Sequence, residues 1–265
     1  MMGQTTMSAV TDRPEEVSDA VLQLKDVEMT FPDGTQALRG ISLTIKKGEL
    51  VSIIGPSGAG KSTFMRSLNR LNTPTAGSIV FEGQDVMRAR GKELREIRRR
   101  IGMVFQHFNL IKRSQTYHNV LHGRLGYMPT LKGSFGRFSK EDTEKAFEVL
   151  RRVGLEEHMF KRADELSGGQ QQRVGIARAI IQEPSLLLAD EPIASLDPSS
   201  SENVMNYLKQ VCEEDGLTSI VNLHQVDFAK KFAHRIIGIK AGEVVFDGAP
   251  RELTDGIIDY LYYKK

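Results

Sequence analysis

Gly55, Pro56, Ser57, Gly58, Ala59, Gly60, Lys61 and Ser62 stand in an unbroken run, followed by Thr63. The spacing is that of a phosphate-cradling loop, G-x-x-x-x-G-K-S. Gly58 and Gly60 lack a Cβ, so the backbone can curl and aim successive N–H groups at one anion. A helix that begins where the loop ends adds its positive N-terminal end. Lys61 can reach the outer phosphates of a nucleotide, and the Ser62 hydroxyl can ligate Mg²⁺. Such a loop needs a carboxylate at the end of a neighbouring strand. Leu186, Leu187, Leu188 and Ala189 run straight into Asp190 and Glu191. The first acid can hold the metal through its water shell. The second can polarise a water for attack on a γ-phosphate.

A second glycine-rich turn lies upstream, where Leu166, Ser167, Gly168, Gly169 and Gln170 precede a stretch with Val174, Ala177, Ile180 and Ile181 at helical spacing. Ser167 is a good N-cap, and two glycines behind it leave a helix N-terminus suited to an anion. Glu183-Pro184 stops that helix.

The elements around these motifs alternate in type. Residues 21–30 and 41–45 are β-branched and apolar with Asp33-Gly34 between them, which predicts antiparallel strands joined by a turn. Leu50–Ile54 is a short apolar run, the profile of a strand buried on both faces. Phe64, Met65, Leu68 and Leu71 then share one helix face. Further strands are expected at 79–82, 101–105, 186–189, 219–223, 235–240 and 244–247, with Ala241-Gly242 as a hairpin turn. Residues 107–165 change texture, with scattered glycines and basic residues and a helix starting near Ser139, where Ser139 and Asp142 resemble a capping box. This predicts a mostly helical insert in an α/β fold whose core sheet is parallel and whose edges are antiparallel.

Composition narrows the field. The 265 residues carry 36 Lys+Arg and 34 Asp+Glu, a net charge of +2, which disfavours a dedicated nucleic-acid binder. The basic run from Arg88 to Arg100 holds seven Arg or Lys, but no aromatic residue interleaves them, so it reads as a solvated helix face. Cys212 is the single cysteine, which excludes an internal disulfide and a cysteine metal cluster. No apolar stretch approaches the roughly 20 residues of a spanning helix. Residues 1–20 are polar, lack the apolar core of a secretory signal, and read as a mobile extension.

Taken together, the phosphate loop, the Asp190-Glu191 pair and the Leu166–Gln170 turn resemble the signature of the ATP-binding cassette ATPases. The resemblance covers residues 21–265, with the helical subdomain inserted at about 107–185. It implies an α/β P-loop NTPase core with a mostly parallel sheet, an antiparallel β edge subdomain and an α-helical insert. It also implies roles for single residues. Phe31 matches the aromatic that stacks on adenine, in place of the commoner Tyr. Gln106 matches the Q-loop glutamine, a third candidate beside Ser62 and Asp190 for contact with Mg²⁺. Ser195, Leu196 and Asp197 match the D-loop. His224 matches the switch histidine, which would contact the γ-phosphate and orient Glu191, the candidate base.

A finer resemblance is carried by residues 119–126 (Asn-Val-Leu-His-Gly-Arg-Leu-Gly), 136–139, 162–173 and 221–227. These look like the ATPase subunits of bacterial phosphonate importers. The implied partners are a second copy of the chain, whose Ser167 and Gly169 close the other's ATP site, and a membrane permease docked near residues 106–110. A phosphonate-binding protein outside the membrane is an indirect partner, and no nucleic acid is expected. The implied location is peripheral, on the cytoplasmic face of the membrane. An importer of another solute, such as an amino acid or phosphate, keeps the same motor. A repair or translation ATPase is disfavoured by the single P-loop and the lack of a long heptad run. A P-loop kinase leaves Leu166–Gln170 unexplained.

Overall fold

A computed structural model describes residues 19–129, 133 and 136–263. The expected extension at 1–20 therefore lies outside the described residues apart from Asp19 and Ala20, and Ala20 already begins the first strand. The strands are β1 (Ala20–Thr30), β2 (Gln36–Lys46), β3 (Leu50–Ile54), β4 (Ala76–Phe81), β5 (Gln84–Asp85), β6 (Ile101–Val104), β7 (Leu186–Asp190), β8 (Thr218–Asn222), β9 (Arg235–Lys240) and β10 (Glu243–Gly248). The helices are α1 (Lys61–Leu68), α2 (Gly91–Arg99), α3 (Thr116–Leu121), α4 (Lys140–Arg152), α5 (Gly168–Ile180), α6 (Pro198–Asp215), α7 (Val226–Phe232) and α8 (Asp255–Tyr262).

Six strands form one sheet in the order β10-β9-β3-β8-β7-β6, parallel except for β10, which pairs antiparallel with β9. Every residue of β3, β7 and β8 is buried, as their unbroken apolar runs require in a sheet covered on both faces. The other antiparallel strands are not edges of that sheet. They make a sheet of their own, β2-β1-β4-β5, whose inner residues Val21, Leu22, Leu38, Ile41 and Phe81 join Val51, Ile53 and the α1 residues Phe64, Met65 and Leu68 in one core. Each of those large apolar side chains contributes about 1.5–3 kcal/mol by leaving water. Leu71 departs from the expected helix face. The helix stops at Leu68, Arg70 turns left-handed at φ 55°, and Leu71 is 51% exposed.

Between β6 and β7 the described residues form helices, short 3₁₀ turns and one isolated bridge, Gln115 with Arg162. The helix expected near Ser139 is α4. Ser139 accepts from the Asp142 N–H at 3.0 Å and donates its own hydroxyl to the Asp142 carboxylate at 2.8 Å, so the return bond goes to the hydroxyl rather than to the backbone. The turn after β9 is left-handed at both Ala241 (φ 49°) and Gly242 (φ 84°), the geometry a two-residue hairpin needs. Among the described residues no helix is long and apolar enough to cross a membrane.

Candidate nucleotide site

The parallel strands end on one side of the sheet, and that is where ligands collect in open α/β folds. β3 runs into the glycine loop, β7 into Asp190-Glu191, and β8 toward His224. The loop is held by close backbone approach. A Cβ on Gly55 would lie 2.0 Å from the Ile239 carbonyl oxygen, and one on Gly60 would lie 2.3 Å from that of Ala37. Gly60, at φ 101°, is the N-cap of α1, and no side chain caps that helix. Its first amides are therefore left for a ligand, which is what phosphate capture at a helix N-terminus uses.

Lys61 is buried and donates to the carbonyls of Gly55 at 2.7 Å and Pro56 at 3.0 Å. Burial lowers the pKa of its ammonium, while Glu191 and Asp190 pull it back up. The Ser62 hydroxyl donates to Asp190 Oδ1 at 2.9 Å. Asp190 is 3% exposed and also accepts from Asn222 Nδ2 at 2.8 Å, with the Arg66 guanidinium 3.6 Å from Oδ2. A hydroxyl and one carboxylate in contact are hard oxygen donors of the kind Mg²⁺ takes when phosphates and waters complete its shell. The residues present fit that ion.

Glu191 sits left-handed at φ 53°, a conformation that costs on the order of 1–3 kcal/mol for a side-chain-bearing residue and clusters at working sites. Its N–H donates to the Asn222 carbonyl at 3.2 Å, and its Oε1 lies 2.6 Å from His224 Nε2. Ser57–Thr63, Glu191 and His224 line one cleft of about 450 Å³ together with Phe31, Thr35, Gln36, Ala37, Arg39, Ala241 and Gly242. Phe31 stands at the turn after β1, where its N–H donates to Thr35 O and its carbonyl accepts from Gly34.

Gln106 is not in that cleft. Val104 pairs with Ala189, so Gln106 leaves the sheet one strand from the acidic pair. It lines instead a separate cleft of about 350 Å³ with Leu110, Lys112, Gln171 and Ser195. Among the described residues no hydrogen bond joins Gln106 to Ser62 or Asp190.

The Leu166–Gln170 turn also lies apart from the glycine loop. Ser167 caps α5 by accepting from the Gln170 N–H at 3.3 Å, and Gln170 Oε1 accepts from the Ser167 N–H at 2.9 Å, a complete capping box. Ser167 and Gly168 are exposed, whereas a Cβ on Gly169 would strike Ser200 Oγ at 2.7 Å. Leu196 approaches Gly168, and Asp197 caps α6 by accepting from the Ser200 N–H at 3.0 Å. The Ser200 hydroxyl, together with that backbone bond, holds the Asp197 carboxyl below its usual range. Sequence reasoning missed Asn222, Arg66, Arg39 and the Thr35–Ala37 wall. Asn222 had a signal, as a lone amide at the end of an apolar strand. The others are placed by contacts between distant segments.

The sequence pattern of the ABC transporter family matches residues 38–194. The chain belongs to that family. It is 64% identical over 242 residues to the phosphonates import ATP-binding protein PhnC 2 of Halalkalibacterium halodurans, covering 91% of this chain and 99% of the relative. The phosphonates import ATP-binding protein PhnC of Lactobacillus johnsonii is 52% identical, with 91% and 95% covered. Among solved structures, the dimeric post-hydrolysis state of the ATP-binding cassette MJ0796 with ADP and Pi superposes with a TM-score of 0.76 at 39% identity, over 87% of this chain and 99% of that one. The cbiO1 protein of Clostridium perfringens gives a TM-score of 0.79 at 30% identity, covering 91% and 94%.

Proposed function

We propose that this chain is the ATP-hydrolysing subunit of an importer that takes up phosphonates or related phosphorus oxyanions. What carries the motor half of the reading is one cleft lined by Lys61, Ser62, Glu191 and His224, with the buried Asp190 behind it accepting from the Ser62 hydroxyl. The substrate half rests on the phosphonate-import relatives, since the cleft is fitted to the nucleotide and not to the cargo.

In this reading Phe31 stacks on the adenine. The amides of Ser57–Thr63 and the Lys61 ammonium hold the phosphates. Ser62 and Asp190 hold Mg²⁺, which supplies charge neutralisation at the phosphates when bound. Glu191 accepts a proton from the attacking water, and His224 holds the Glu191 carboxylate in place and meets the γ-phosphate. Residues 21–265 form one cassette, with 107–185 as its helical subdomain.

The exposed Ser167-Gly168 turn stands outside its own chain's cleft, which supports a two-fold dimer in which each chain's α5 closes the other's site. The solved dimer of the related cassette supports the same assembly. Gln106, between the β6 end and the permease-docking groove at residues 106–110, then reports nucleotide state to the permease. The subunit works at the cytoplasmic face, attached through that permease, with the solute-binding protein on the far side.

Copurification with a permease, followed by phosphonate uptake in cells carrying the complex, tests the proposal. A permease-bound chain that drives uptake of another solute and leaves phosphonate outside would overturn the cargo assignment.

A further inference from the structure

The start of α5 is tied to the helical insert as well as to itself. After α4 the chain makes a short 3₁₀ turn, Glu156–His158, flanked by the buried side chains of Leu155 and Met159. Its backbone is pinned on both sides. The His158 N–H donates to the Leu155 carbonyl at 3.0 Å, and the Met159 carbonyl accepts from the N–H of Tyr117, in α3, at 3.0 Å. The half-buried His158 side chain then reaches α5, where its Nε2 lies 3.0 Å from Gln170 Nε2.

The chemistry of that contact follows from the far end of the same amide. The Ser167 backbone N–H can only donate, so the Gln170 atom that meets it at 2.9 Å is the carbonyl oxygen Oε1. The other end of the amide is therefore the NH₂, which has no lone pair to offer. Two donors cannot share a 3.0 Å contact, so His158 Nε2 holds the lone pair there and the ring proton sits on Nδ1. Gln170 is gripped at both ends. A flipped amide would set its NH₂ against the Ser167 N–H and open the capping box.

We propose that His158 is a positioning residue for the Leu166–Gln170 turn. It accepts from Gln170 Nε2, holds the amide in the orientation that closes the capping box, and so keeps Ser167 and Gly168 shaped for the partner chain's nucleotide. The inference rests on the reading of this turn as the cover of a second chain's site. Long-range proton–nitrogen correlation spectra of the full chain, at mildly alkaline pH and without nucleotide, test the contact itself. They should show the His158 ring protonated at Nδ1 and unprotonated at Nε2. His158→Phe keeps a ring and removes the acceptor. In the dimeric ATPase it should raise the MgATP concentration for half-maximal rate about fivefold, the scale of one lost hydrogen bond. The turnover number at saturation and the ATP Kd of the isolated chain should stay near wild type, because the chain's own pocket is untouched. His158→Gln, whose side-chain oxygen can accept from Gln170, should restore the wild-type value, a rescue that lost ring packing alone would not give. A ring protonated at Nε2 would overturn the proposal, as would a His158→Gln variant no better than His158→Phe. So would wild-type half-saturation in His158→Phe when Gly168→Asp abolishes the ATPase. A Gly168→Asp variant that stays fully active would instead overturn the cover reading, and the positioning role with it, even where the ring is protonated at Nδ1.

Discussion

Two glycine-flanked helix starts in this molecule are built for opposite states. At α1 the N-cap is Gly60, no side chain meets the first amides, and Lys61 is folded back onto the loop's own carbonyls. At α5 the Ser167–Gln170 capping box is already closed, and the turn faces outward. The first start sits opposite Asp190, Glu191 and His224, so an anion entering there meets the loop amides, Lys61, the Ser62–Asp190 pair and the Glu191–His224 pair. The second has no such wall within its own chain among the described residues. In the proposed dimer the first is a pocket and the second is the cover that the other chain lends it. A stable cap also makes sense at the exposed start, where it keeps α5 formed when no phosphate is present.

The chemical step gives the largest expected effect. Glu191→Gln keeps size and hydrogen bonding and loses the charge that takes the proton. Hydrolysis should fall ~10²–10⁴-fold in single turnover while ATP still binds. Hydrolysis near the wild-type rate would mean that another group activates the water. His224→Ala should slow the same step by releasing Glu191, and Asp190→Asn should differ by also weakening the dependence on Mg²⁺ concentration.

Binding at the uncapped start comes next. Lys61→Ala removes a charge-assisted contact worth roughly 1.5–3 kcal/mol, on the order of 10–100-fold in ATP affinity by titration calorimetry. An unchanged affinity would remove the phosphate role from α1. The capped start should answer differently. Ser167→Ala should cost about 1 kcal/mol of stability, visible as a lower melting temperature, with ATP affinity of the isolated chain unaffected. A loss of affinity in the monomer would place α5 in its own chain's site.

The smallest effect concerns the single cysteine. Cys212 is 2% exposed, its thiol touches the Gly48 carbonyl at 3.2 Å, and burial pushes its pKa up to about 11. A folded-state pKa above the usual thiol value keeps Cys212 protonated at neutral pH, so thiol reagents should label it slowly in the native protein and fast in denaturant. Rapid native labelling would show that the α6 face opens.

What could be read from the sequence follows from how local each feature is. The glycine loop, the Asp190-Glu191 pair and the Leu166–Gln170 turn are contiguous, so their types and order carry them. Strands β3 and β9 match their expected bounds because each is a short apolar run with clear stops. Asn222 reaches Asp190 only because β7 and β8 pair in register, Asp190 opposite Asn222, which no local pattern encodes. The separation of the β2-β1-β4-β5 sheet from the parallel one is likewise a matter of pairing. β2 begins at Gln36 rather than at 41, since Gly40 at φ 71° and shifts in register let a twisted strand continue through a glycine. The orientation of Gln106 depends on where the helical insert packs, which lies beyond the reach of its neighbours in sequence.

In the proposed dimer the pocket and its cover belong to different chains, and mixing two disabled variants shows whether they do. Lys61→Ala disables the pocket. Gly168→Asp disables the cover by placing a negative charge against the phosphates, at an exposed first-turn position where a Cβ meets Leu196 only at 3.6 Å and an acid suits the helix. Each variant alone should be inactive. Mixed and allowed to exchange subunits, half of the dimers pair one of each, and one of the two sites in such a dimer is intact. ATPase activity should return to about a quarter of the wild-type level. Activity that stays at background after demonstrated subunit exchange would contradict it.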